Sequence, residues 1–353
     1  MKKSTKWLFA SMLICAFAMA GCAMQKNIEA PSKSAAKKEA QKITEPIKIG
    51  FIGPLTGDAA NVGQNSKAAT EIAVEEINAE GGINGRKIEM IYEDGECAGK
   101  AASNAANKLI NIDKVPVILG GLCSGETSSF IGAAEQSKTV VLSYCSSAPA
   151  ITSAGDYIFR DYPSDLYQGA FAAKYLMNDL NKKKVAILYV NSDYGVGIKN
   201  VFNNEFKKLG GEIVAEEGYE QTSRDLRTPL AKIKSANPEV LYFIGTNEAS
   251  VPGLKQAKEL GLNIPMFGGD AWDDSKIWTE AGDAGEGAMY STIFAPLNEN
   301  FKNKMKEKIG NDEITVCSPQ AYDGIKLLSK VMEKAGTKSE DIKGSSPKRV
   351  GKI

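Results

Sequence analysis

A glycine-rich turn early in the chain is the first place where this sequence could do chemistry. It follows an apolar run at residues 47–52, contains Gly53 and Gly57, and leads into an amphipathic segment near residues 65–80. Glycine lets backbone N–H groups approach a ligand, and a strand that turns into a helix opens at the ligand-binding edge of an α/β sheet. No Gly-Lys-Ser/Thr follows, and the glycine spacing is not that of the dinucleotide fingerprint. The turn is a candidate ligand contact or, alternatively, a tight turn without a ligand.

Catalysis has few candidate residues, because the 353 residues include no histidine. That absence excludes Ser-His-Asp and Cys-His catalysis and His-ligated metal sites, and it removes the commonest general base near neutral pH. The carboxylates of Asp273 and Asp274 are the candidates for a hydrolase, but adjacent residues on one loop rarely face one substrate bond. We therefore expect a binding protein without a metal or cofactor rather than an enzyme.

Length and charge narrow the choice of partners. The chain is long enough for two domains of ordinary size, and its 43% hydrophobic and 24% charged residues are those of a globular protein. The 43 basic and 43 acidic side chains give a formal net charge of zero. Because nucleic-acid binding needs a basic excess or a clear basic patch, we expect no nucleic-acid partner.

The N-terminus is typical of a targeting segment. Lysines precede an apolar run at residues 7–20, which is too short to span a bilayer comfortably and leads through small residues to Cys22. The pattern resembles a bacterial lipoprotein signal, which implies a signal peptide at residues 1–21 and a diacylglyceryl anchor on Cys22. Residues 22–46 then form the anchor and a flexible tether. The alternative is an ordinary secretory peptide, and in both cases the mature chain is extracytoplasmic.

From residue 47 onward, apolar strand-like runs alternate with helical segments, which include a helix at residues 318–335 and a strand at residues 287–294. This alternation predicts parallel sheets covered by helices on both faces, and the series restarts near Ser164. The predicted fold class is α/β with two lobes joined by a hinge. Its parts are lobe 1 at residues 47–163, lobe 2 at 164–293, a return to lobe 1 at 294–340 and a polar tail at 341–353. A crevice between lobes is a common small-molecule site.

Six short motifs carry a family resemblance: GPLTG at 53–57, AVEEINAEGGING at 73–85, LCS at 122–124, SSAP at 146–149, DYG at 193–195 and GGD at 268–270. Together they resemble the leucine/isoleucine/valine-binding proteins, which are extracytoplasmic receptors of ABC importers with the type I periplasmic binding fold. The resemblance implies a monomer whose lobes close on a ligand around segments near Pro163 and Phe294, with an ABC permease and ATPase as partners. Because the family normally continues through further strands after residue 335, we also expect a shortened C-terminal segment.

The resemblance implies a site for a free amino acid, with an aliphatic or branched side chain as the expected ligand. Its carboxylate needs hydroxyl and N–H donors, and its ammonium group needs a carboxylate. By the family pattern, Ser124 and Ser147 bind the ligand carboxylate with backbone groups at Cys145, and Asp270 binds the ammonium group. Alternatively, these side chains only cap helices and turns. An amide, urea or aromatic-acid ligand, or a lipoprotein with a sensory or structural role, is the alternative function.

Two further residues are expected near the ligand. By the resemblance, Tyr194 matches an aromatic residue of the second lobe that packs over the ligand, and the alternative is a place in the lobe core. Thr246 and Val62 fall where some members of the family place aromatic residues, which predicts a side-chain pocket of different shape.

Besides Cys15 in the N-terminal apolar run and Cys22, the sequence has four cysteines: Cys97, Cys123, Cys145 and Cys317. In an oxidising compartment, an even number of cysteines favours at least one disulfide, and four cysteines can pair completely in three ways. The family resemblance implies a bond between Cys97 and Cys123, which would rigidify the loop that carries Ser124. Cys145 is then a candidate free thiol beside the ligand, Cys317 has no assigned partner, and the pairing of these two cysteines stays open.

Overall fold

The alternation of strands and helices builds two parallel five-stranded sheets, one in each lobe. The computed structural model describes residues 45–345. Lobe 1 has the strand order β2-β1-β3-β4-β5, with β1 (Ile47–Gly53), β2 (Ile88–Asp94), β3 (Val117–Leu119), β4 (Val140–Ser143) and β5 (Ile158–Arg160). Lobe 2 has the order β10-β9-β8-β6-β7, with β6 (Lys184–Val190), β7 (Glu212–Tyr219), β8 (Val240–Ile244), β9 (Met266–Gly268) and β10 (Met289–Tyr290). The predicted fold class is confirmed.

Helices cover both faces of each sheet because the strands are apolar on both faces. In β3, Val117 and Leu119 pack in one core cluster and Ile118 packs in the cluster on the opposite face, as the alternation of strand side chains requires. The helices of lobe 1 are α1 (Ala60–Ala79), α2 (Gly99–Lys108), α3 (Ser124–Ser137), α9 (Glu299–Ile309), α10 (Ser318–Ala335) and α11 (Ser339–Ser345). Those of lobe 2 are α4 (Asp165–Lys174), α5 (Asp193–Lys208), α6 (Arg227–Ser235), α7 (Asn247–Glu259) and α8 (Ser275–Ala281).

The chain passes from lobe 1 to lobe 2 between β5 and α4, and it returns between β10 and α9. The returning helices complete lobe 1. In α10, Ile325 and Met332 are buried in the same cluster as Ile49 and Phe51 of β1. Ile342 of α11 is buried in that cluster too, at residues where the sequence predicts a polar tail. The C-terminal part of the described chain therefore belongs to the core of lobe 1.

The structure differs from the sequence prediction at two element ends. Helix α1 begins at Ala60 rather than near residue 65. The prediction placed the start too late, because the first turns of the helix carry polar residues that contact the preceding loop. For example, Gln64 Nε2 donates to the carbonyl of Leu55 at 2.7 Å. Polar residues with such contacts carry no apolar periodicity, so the periodicity did not mark the start of the helix. Strand β10 covers only Met289–Tyr290, because the chain then leaves the sheet for its return crossing. Between residues 45 and 345, no helix has the length and apolar character needed to cross a bilayer.

Candidate functional site

A cavity of about 120 Å³ lies between the facing strand ends of the two lobes. All parallel strands of a sheet end at one edge, so the loops after them converge there. The structure brings all six residues predicted to bind the ligand to this cavity: Ser124, Cys145, Ser147, Tyr194, Thr246 and Asp270. Val62 lines it as well, and Cys22 lies outside the described residues.

The lobe 1 side of the cavity is built from hydroxyl groups around the N-terminus of α3. Ser124 is the first residue of that helix, and its Oγ accepts a hydrogen bond from the backbone N–H of Ala148 at 3.1 Å. This bond ties α3 to the loop after β4, residues 144–148, which we call the donor loop. Ser147 of the donor loop also lines the cavity. The first N–H groups of a helix have no partner within it and favour an anion, so this side suits a carboxylate.

Arg160 at the end of β5 holds the donor loop in place. Its Nη1 donates to the carbonyl oxygens of Ser146, Ser147 and Ala148 at 3.3, 3.0 and 3.0 Å. Burial lowers the pKa of Arg160 from its ordinary value, but the charged guanidinium remains the form that can donate to three carbonyls at once. These bonds orient successive peptide groups of the donor loop towards the strand end.

Glu126 organises the adjacent loop that precedes Ser124. Its Oε2 accepts from the N–H groups of Leu122 and Cys123 at 2.9 and 3.0 Å, and its Oε1 accepts from the N–H of Cys97 at 3.0 Å. Burial raises the pKa of Glu126 to about 7, even though these backbone donors act in the opposite direction. One side chain thus positions both residues of the adjoining disulfide.

The lobe 2 side of the cavity carries the carboxylate of Asp270, which is 7% exposed. Its Oδ2 accepts from the Tyr162 hydroxyl at 2.7 Å, and its Oδ1 accepts from the Tyr194 hydroxyl at 2.8 Å and from Gln168 Nε2 at 3.0 Å. Burial and the charge of Asp270 raise the pKa values of both tyrosines well above their ordinary range, so both stay neutral donors. A Cβ at Gly269 would lie 2.7 Å from both Gln168 Oε1 and the Tyr194 hydroxyl, so a larger residue there would displace these partners of Asp270.

Sequence reasoning missed a second buried carboxylate, that of Asp165, which begins α4 and is 1% exposed. Its Oδ2 accepts from the Ser147 hydroxyl at 2.8 Å, across the boundary between the lobes. Its Oδ1 accepts from Gln168 Nε2 at 3.2 Å, the same nitrogen that donates to Asp270. Burial, followed by the charge of Asp270, raises the pKa of Asp165 well above its ordinary value. The sequence signal that could have identified Asp165 is its place directly after Ser164, the predicted helix N-cap in the hinge segment.

The remaining wall is mostly apolar. Val62, Leu122 and Val316 line it, and Thr246 stands at the start of α7. The Tyr194 side chain reaches the cavity and also packs against the core clusters on both faces of the lobe 2 sheet. Tyr194 therefore borders the cavity and also belongs to the lobe core, and its contact with a ligand stays a prediction.

Two disulfides adjoin the cavity. One joins Cys97 to Cys123. The other joins Cys145 to Cys317, which gives the pairing that the sequence left open and excludes the candidate free thiol at Cys145. The return of the chain to lobe 1 places the start of α10 beside the donor loop, which brings the two Cα atoms to 5.4 Å although 172 residues separate them in sequence.

The neighbouring carboxylates considered for hydrolysis face different partners. Asp273 accepts from the hydroxyl groups of Tyr290 and Thr292 at 3.2 and 2.8 Å. Asp274 caps α8 through the N–H of Lys276 at 2.9 Å, and its other oxygen accepts from two asparagine amides. Both act within the scaffold, and neither pairs with the other towards a common point.

The contacts that join the lobes around the cavity include an ion pair of Asp58 with Arg224, a hydrogen bond of Asn61 with Asp274 at 3.3 Å, and a hydrogen bond of Gln221 with the Cys97 carbonyl at 3.3 Å. Residues of both lobes therefore enclose the cavity in this structure.

Comparison with known proteins agrees with this geometry. The family model described as periplasmic binding protein matches residues 46–343. A leucine-, isoleucine-, valine-, threonine- and alanine-binding protein of Pseudomonas aeruginosa is 32% identical over 342 residues, which covers 95% of this chain and 86% of the relative.

Two solved structures share the fold over most of the chain. The branched-chain amino acid transporter substrate-binding protein LivJ of Streptococcus pneumoniae, in complex with isoleucine, is 27% identical with a TM-score of 0.76 and covers 85% of this chain and 87% of its own. A solute-binding protein of an ABC transporter from Rhodopseudomonas palustris BisB5, in complex with 3,4-dihydroxybenzoic acid, is 25% identical with a TM-score of 0.74 and covers 84% of each chain. Because the family model and the Pseudomonas relative both extend over nearly the whole described chain, the protein belongs to the periplasmic binding proteins of the leucine/isoleucine/valine-binding type, a family of receptors and not of enzymes.

Proposed function

We propose that this chain is the extracytoplasmic substrate-binding component of an ABC importer and that it binds a free aliphatic amino acid between its lobes. The observation that carries the proposal is the set of partners around Asp270. They are two hydroxyl groups, one side-chain amide and the backbone N–H of Ala271, and within residues 45–345 no cationic side chain forms an ion pair with this buried carboxylate. A buried charge needs a counter-charge, and a ligand ammonium group supplies it.

The opposite side of the cavity complements the other end of such a ligand. The hydroxyl groups of Ser124 and Ser147, both 3% exposed, lie beside the N-terminus of α3. A carboxylate there can accept the hydrogen of the Ser124 hydroxyl and gains the favourable field of the helix, whereas the single hydrogen of the Ser147 hydroxyl is donated to Asp165. A group of donors in lobe 1 and an acceptor carboxylate in lobe 2 together match a zwitterion, and binding it draws the lobes together.

The size and chemistry of the remaining wall favour a small aliphatic side chain. The cavity volume of about 120 Å³ is well below the roughly 300–1,000 Å³ of pockets for drug-sized ligands. Val62, Leu122 and Val316 offer apolar contacts to the ligand side chain. The Pseudomonas relative, named for binding leucine, isoleucine, valine, threonine and alanine, supports the same ligand class.

The test is isothermal titration of the purified protein with leucine, isoleucine, valine, threonine and alanine. We expect Asp270→Asn to weaken binding of the preferred amino acid by about 3–5 kcal/mol, because it leaves the ammonium group buried without its counter-charge. Asp273→Asn is the matched control, since Asp273 stands three residues away, does not line the cavity and, among the described residues, accepts side-chain hydrogen bonds from Tyr290 and Thr292. Equal affinities of the two variants would refute the role of Asp270.

An aromatic acid is the second candidate ligand, favoured by the Rhodopseudomonas structure with 3,4-dihydroxybenzoic acid. Such a ligand brings a carboxylate but no ammonium group, so the charge of Asp270 would oppose its binding. Titration with 3,4-dihydroxybenzoate separates the two candidates. If the aromatic acid is the ligand, Asp270→Asn tightens its binding, and no amino acid in the panel binds.

Membrane attachment through Cys22 is part of the proposal. Its support is the sequence pattern of residues 1–22, in which lysines and an apolar run precede small residues and the cysteine. Two acyl chains give stable anchoring where one is marginal. We expect Cys22→Ser to move the protein from the membrane fraction to the soluble extracytoplasmic fraction of the producing cells. A Cys22→Ser protein that stays with the membrane would contradict the lipid anchor.

A further inference from the structure

Asp165 and Asp270 form a pair of buried carboxylates behind the cavity. Both accept from Gln168 Nε2, at 3.2 and 3.0 Å, so the two accepting oxygens lie no more than about 6 Å apart. Gln168 Oε1 in turn accepts from the backbone N–H of Asp270 at 2.9 Å, which fixes the amide between the two acids. The pair is therefore a defined structural unit, with Gln168 as its common donor.

The charge of this unit is only partly compensated. Arg160 is the nearby cation, but its Nη1 is occupied by three carbonyls and its Nη2 by Thr152. Within residues 45–345, the ion pairs include none between Arg160 and either acid. Two ionised carboxylates at this depth leave at least one negative charge without a close counter-charge, which is costly in a buried environment.

A second cavity connects the unit to the hinge. It encloses about 160 Å³ and is lined by both segments that cross between the lobes, including Tyr162, Ser164, Ser291 and Thr292. Asp165 and Asp270 both lie in its wall, and Asp270 also lies in the wall of the ligand cavity. Asp165 therefore borders the cavity on the hinge side, whereas Asp270 borders both cavities.

We propose that Asp165 is a positioning residue of the ammonium site, and that the Asp165–Asp270 pair holds one proton when empty and releases it when a ligand ammonium group binds. The proton and the ammonium group are alternative counter-charges for the same pair. This inference rests on the proposed function, since it assigns a consequence to binding of a cationic amine. It makes the receptor selective for ligands that carry a positive charge, because a neutral ligand cannot replace the proton.

The direction of the pH dependence follows from this exchange. Burial raises the pKa of Asp165 and the charge of Asp270 adds to the shift, so the empty pair retains a proton at pH values where an isolated aspartate has lost it. Protons then compete with the ligand at low pH, and the affinity rises with pH until the pair has lost its proton. The charged and titratable groups that face the pair are Arg160, Tyr162, Tyr194 and Tyr242, whereas the charge of Asp273 acts on Tyr162 and is absent from the groups that act on Asp165. The tyrosines have raised pKa values and remain neutral throughout this range.

The first experiment is titration calorimetry of the purified protein with isoleucine in buffers that differ in ionisation enthalpy. We expect close to one proton released per isoleucine bound below the pH at which the pair titrates. The affinity should rise towards ten-fold per pH unit in that range and then level off. Binding of isoleucine without proton release at any pH from 5 to 8 would overturn the proposal and leave the proposed function intact.

The second experiment compares Asp165→Asn with Asp273→Asn. The Asp165→Asn side chain keeps the shape of the protonated acid, so we expect isoleucine binding to persist with no proton release and an affinity that varies less than about two-fold from pH 5 to 8. Asp273→Asn should retain the proton release of the unmodified protein. If Asp165 only orients Ser147, Asp165→Asn weakens binding equally at every pH and does not change the released proton, which contradicts the proposal.

A measurement on the ligand-free protein keeps the test independent of the ligand. The infrared band of protonated carboxyl groups at pH 6 should lose intensity in Asp165→Asn and keep it in Asp273→Asn. An unchanged band in Asp165→Asn would overturn the shared proton. Failure of every amino acid to bind, together with the expected loss of infrared intensity, would refute the proposed function and not the protonated pair.

Discussion

At the scale of single residues, buried carboxyl groups beside the cavity and at the hinge crossing differ in the hydrogen bonds that they accept. Asp270 and Asp165 accept several bonds each, which stabilise charge close to the cavity. Asp161, at the start of the hinge crossing, has two buried oxygens that accept no hydrogen bond from the described side chains and backbone. A carboxyl in that position is accommodated as the neutral acid. Its effect is on stability rather than on ligand binding.

The pH dependence of stability tests this view of Asp161. Burial raises its pKa to about 8, and the charge of Asp323 acts in the same direction. Between about pH 4 and pH 8 the unfolded chain has lost this proton and the folded state has not, so the free energy of unfolding falls as the pH rises. We expect Asp161→Asn to raise it by about 2–5 kcal/mol at pH 8 and by little at pH 4, measured by urea unfolding. Asp179→Asn, at an exposed position, is the control and should change neither value; a loss of stability in Asp161→Asn at pH 8 would contradict the assignment.

At the scale of elements, one acidic side chain connects the returning helices to the first helix of lobe 1. Glu76 of α1 accepts from Lys304 of α9 at 2.7 Å, and its second oxygen accepts from Tyr322 of α10 at 2.6 Å. Lys326, one turn further along α10, also lies 2.6 Å from that oxygen. Three helices that are distant in sequence therefore meet at one carboxylate. The apolar packing of α10 on β1 supplies the core of this contact, and Glu76 adds orientation.

Replacement of Glu76 tests this connection. Burial alone would raise the pKa of Glu76, but hydrogen bonds from Lys304, Lys326 and Tyr322 outweigh it and lower the pKa to about 2. The stabilisation is therefore complete above about pH 4.5 and disappears as the pH falls towards 2. We expect Glu76→Gln to lower the free energy of unfolding by about 1–2 kcal/mol at pH 7, after allowance for solvent screening, and by much less near pH 2.

The neighbouring Glu75 provides the matched control for Glu76. It pairs with Lys308 at 2.6 Å through a side chain that is 65% exposed, so Glu75→Gln should change stability by less than about 0.5 kcal/mol. Denaturant midpoints at pH 7 and pH 2 give the comparison. If both variants lose the same free energy of unfolding at pH 7, the contacts of Glu76 with α9 and α10 stabilise the protein no more than the exposed ion pair of Glu75 does.

At the scale of the whole molecule, closure depends on contacts between lobes that lie outside the ligand cavity. The ion pair of Asp58 with Arg224 joins the turn after β1 to the segment before α6, both at the cleft mouth. A ligand stabilises the closed form, and any contact present only when the lobes are closed adds to the same equilibrium. Such a contact raises the apparent affinity without touching the ligand.

Arg224→Ala therefore tests the closure equilibrium. We expect it to weaken amino-acid binding by about two- to five-fold, because an exposed ion pair contributes about 0.2–1 kcal/mol, and to enlarge the ligand-free radius of gyration in solution scattering. Arg227→Ala is the control, since Arg227 pairs with Asp225 and Glu259 inside lobe 2. An Arg227→Ala protein with the same loss of affinity would attribute the effect to lobe 2 and not to closure.

Much of this protein was determined by local sequence. Apolar runs flanked by helical segments set the α/β class and the two lobes, because strands buried on both faces must be apolar throughout. The helix at Ser318–Ala335 agrees with prediction at both ends, since its apolar periodicity runs unbroken along its length. The six predicted cavity residues follow strand ends or stand at helix starts, and in a parallel sheet those positions share one edge whatever the details of packing.

The tertiary structure alone decided which distant segments meet. Cys317 pairs with Cys145 because α10 returns to lobe 1, and no spacing rule connects two cysteines 172 residues apart. Asp165 becomes a partner of Asp270 because the hinge crossing places α4 against the loop after β9, although 102 residues separate Gln168 from Asp270. Short polar helices such as α8 and α9 also escaped prediction, since their stability comes from tertiary contacts rather than from periodicity. Local patterns fix elements and their edges, whereas long-range pairing depends on how the chain closes loops between them.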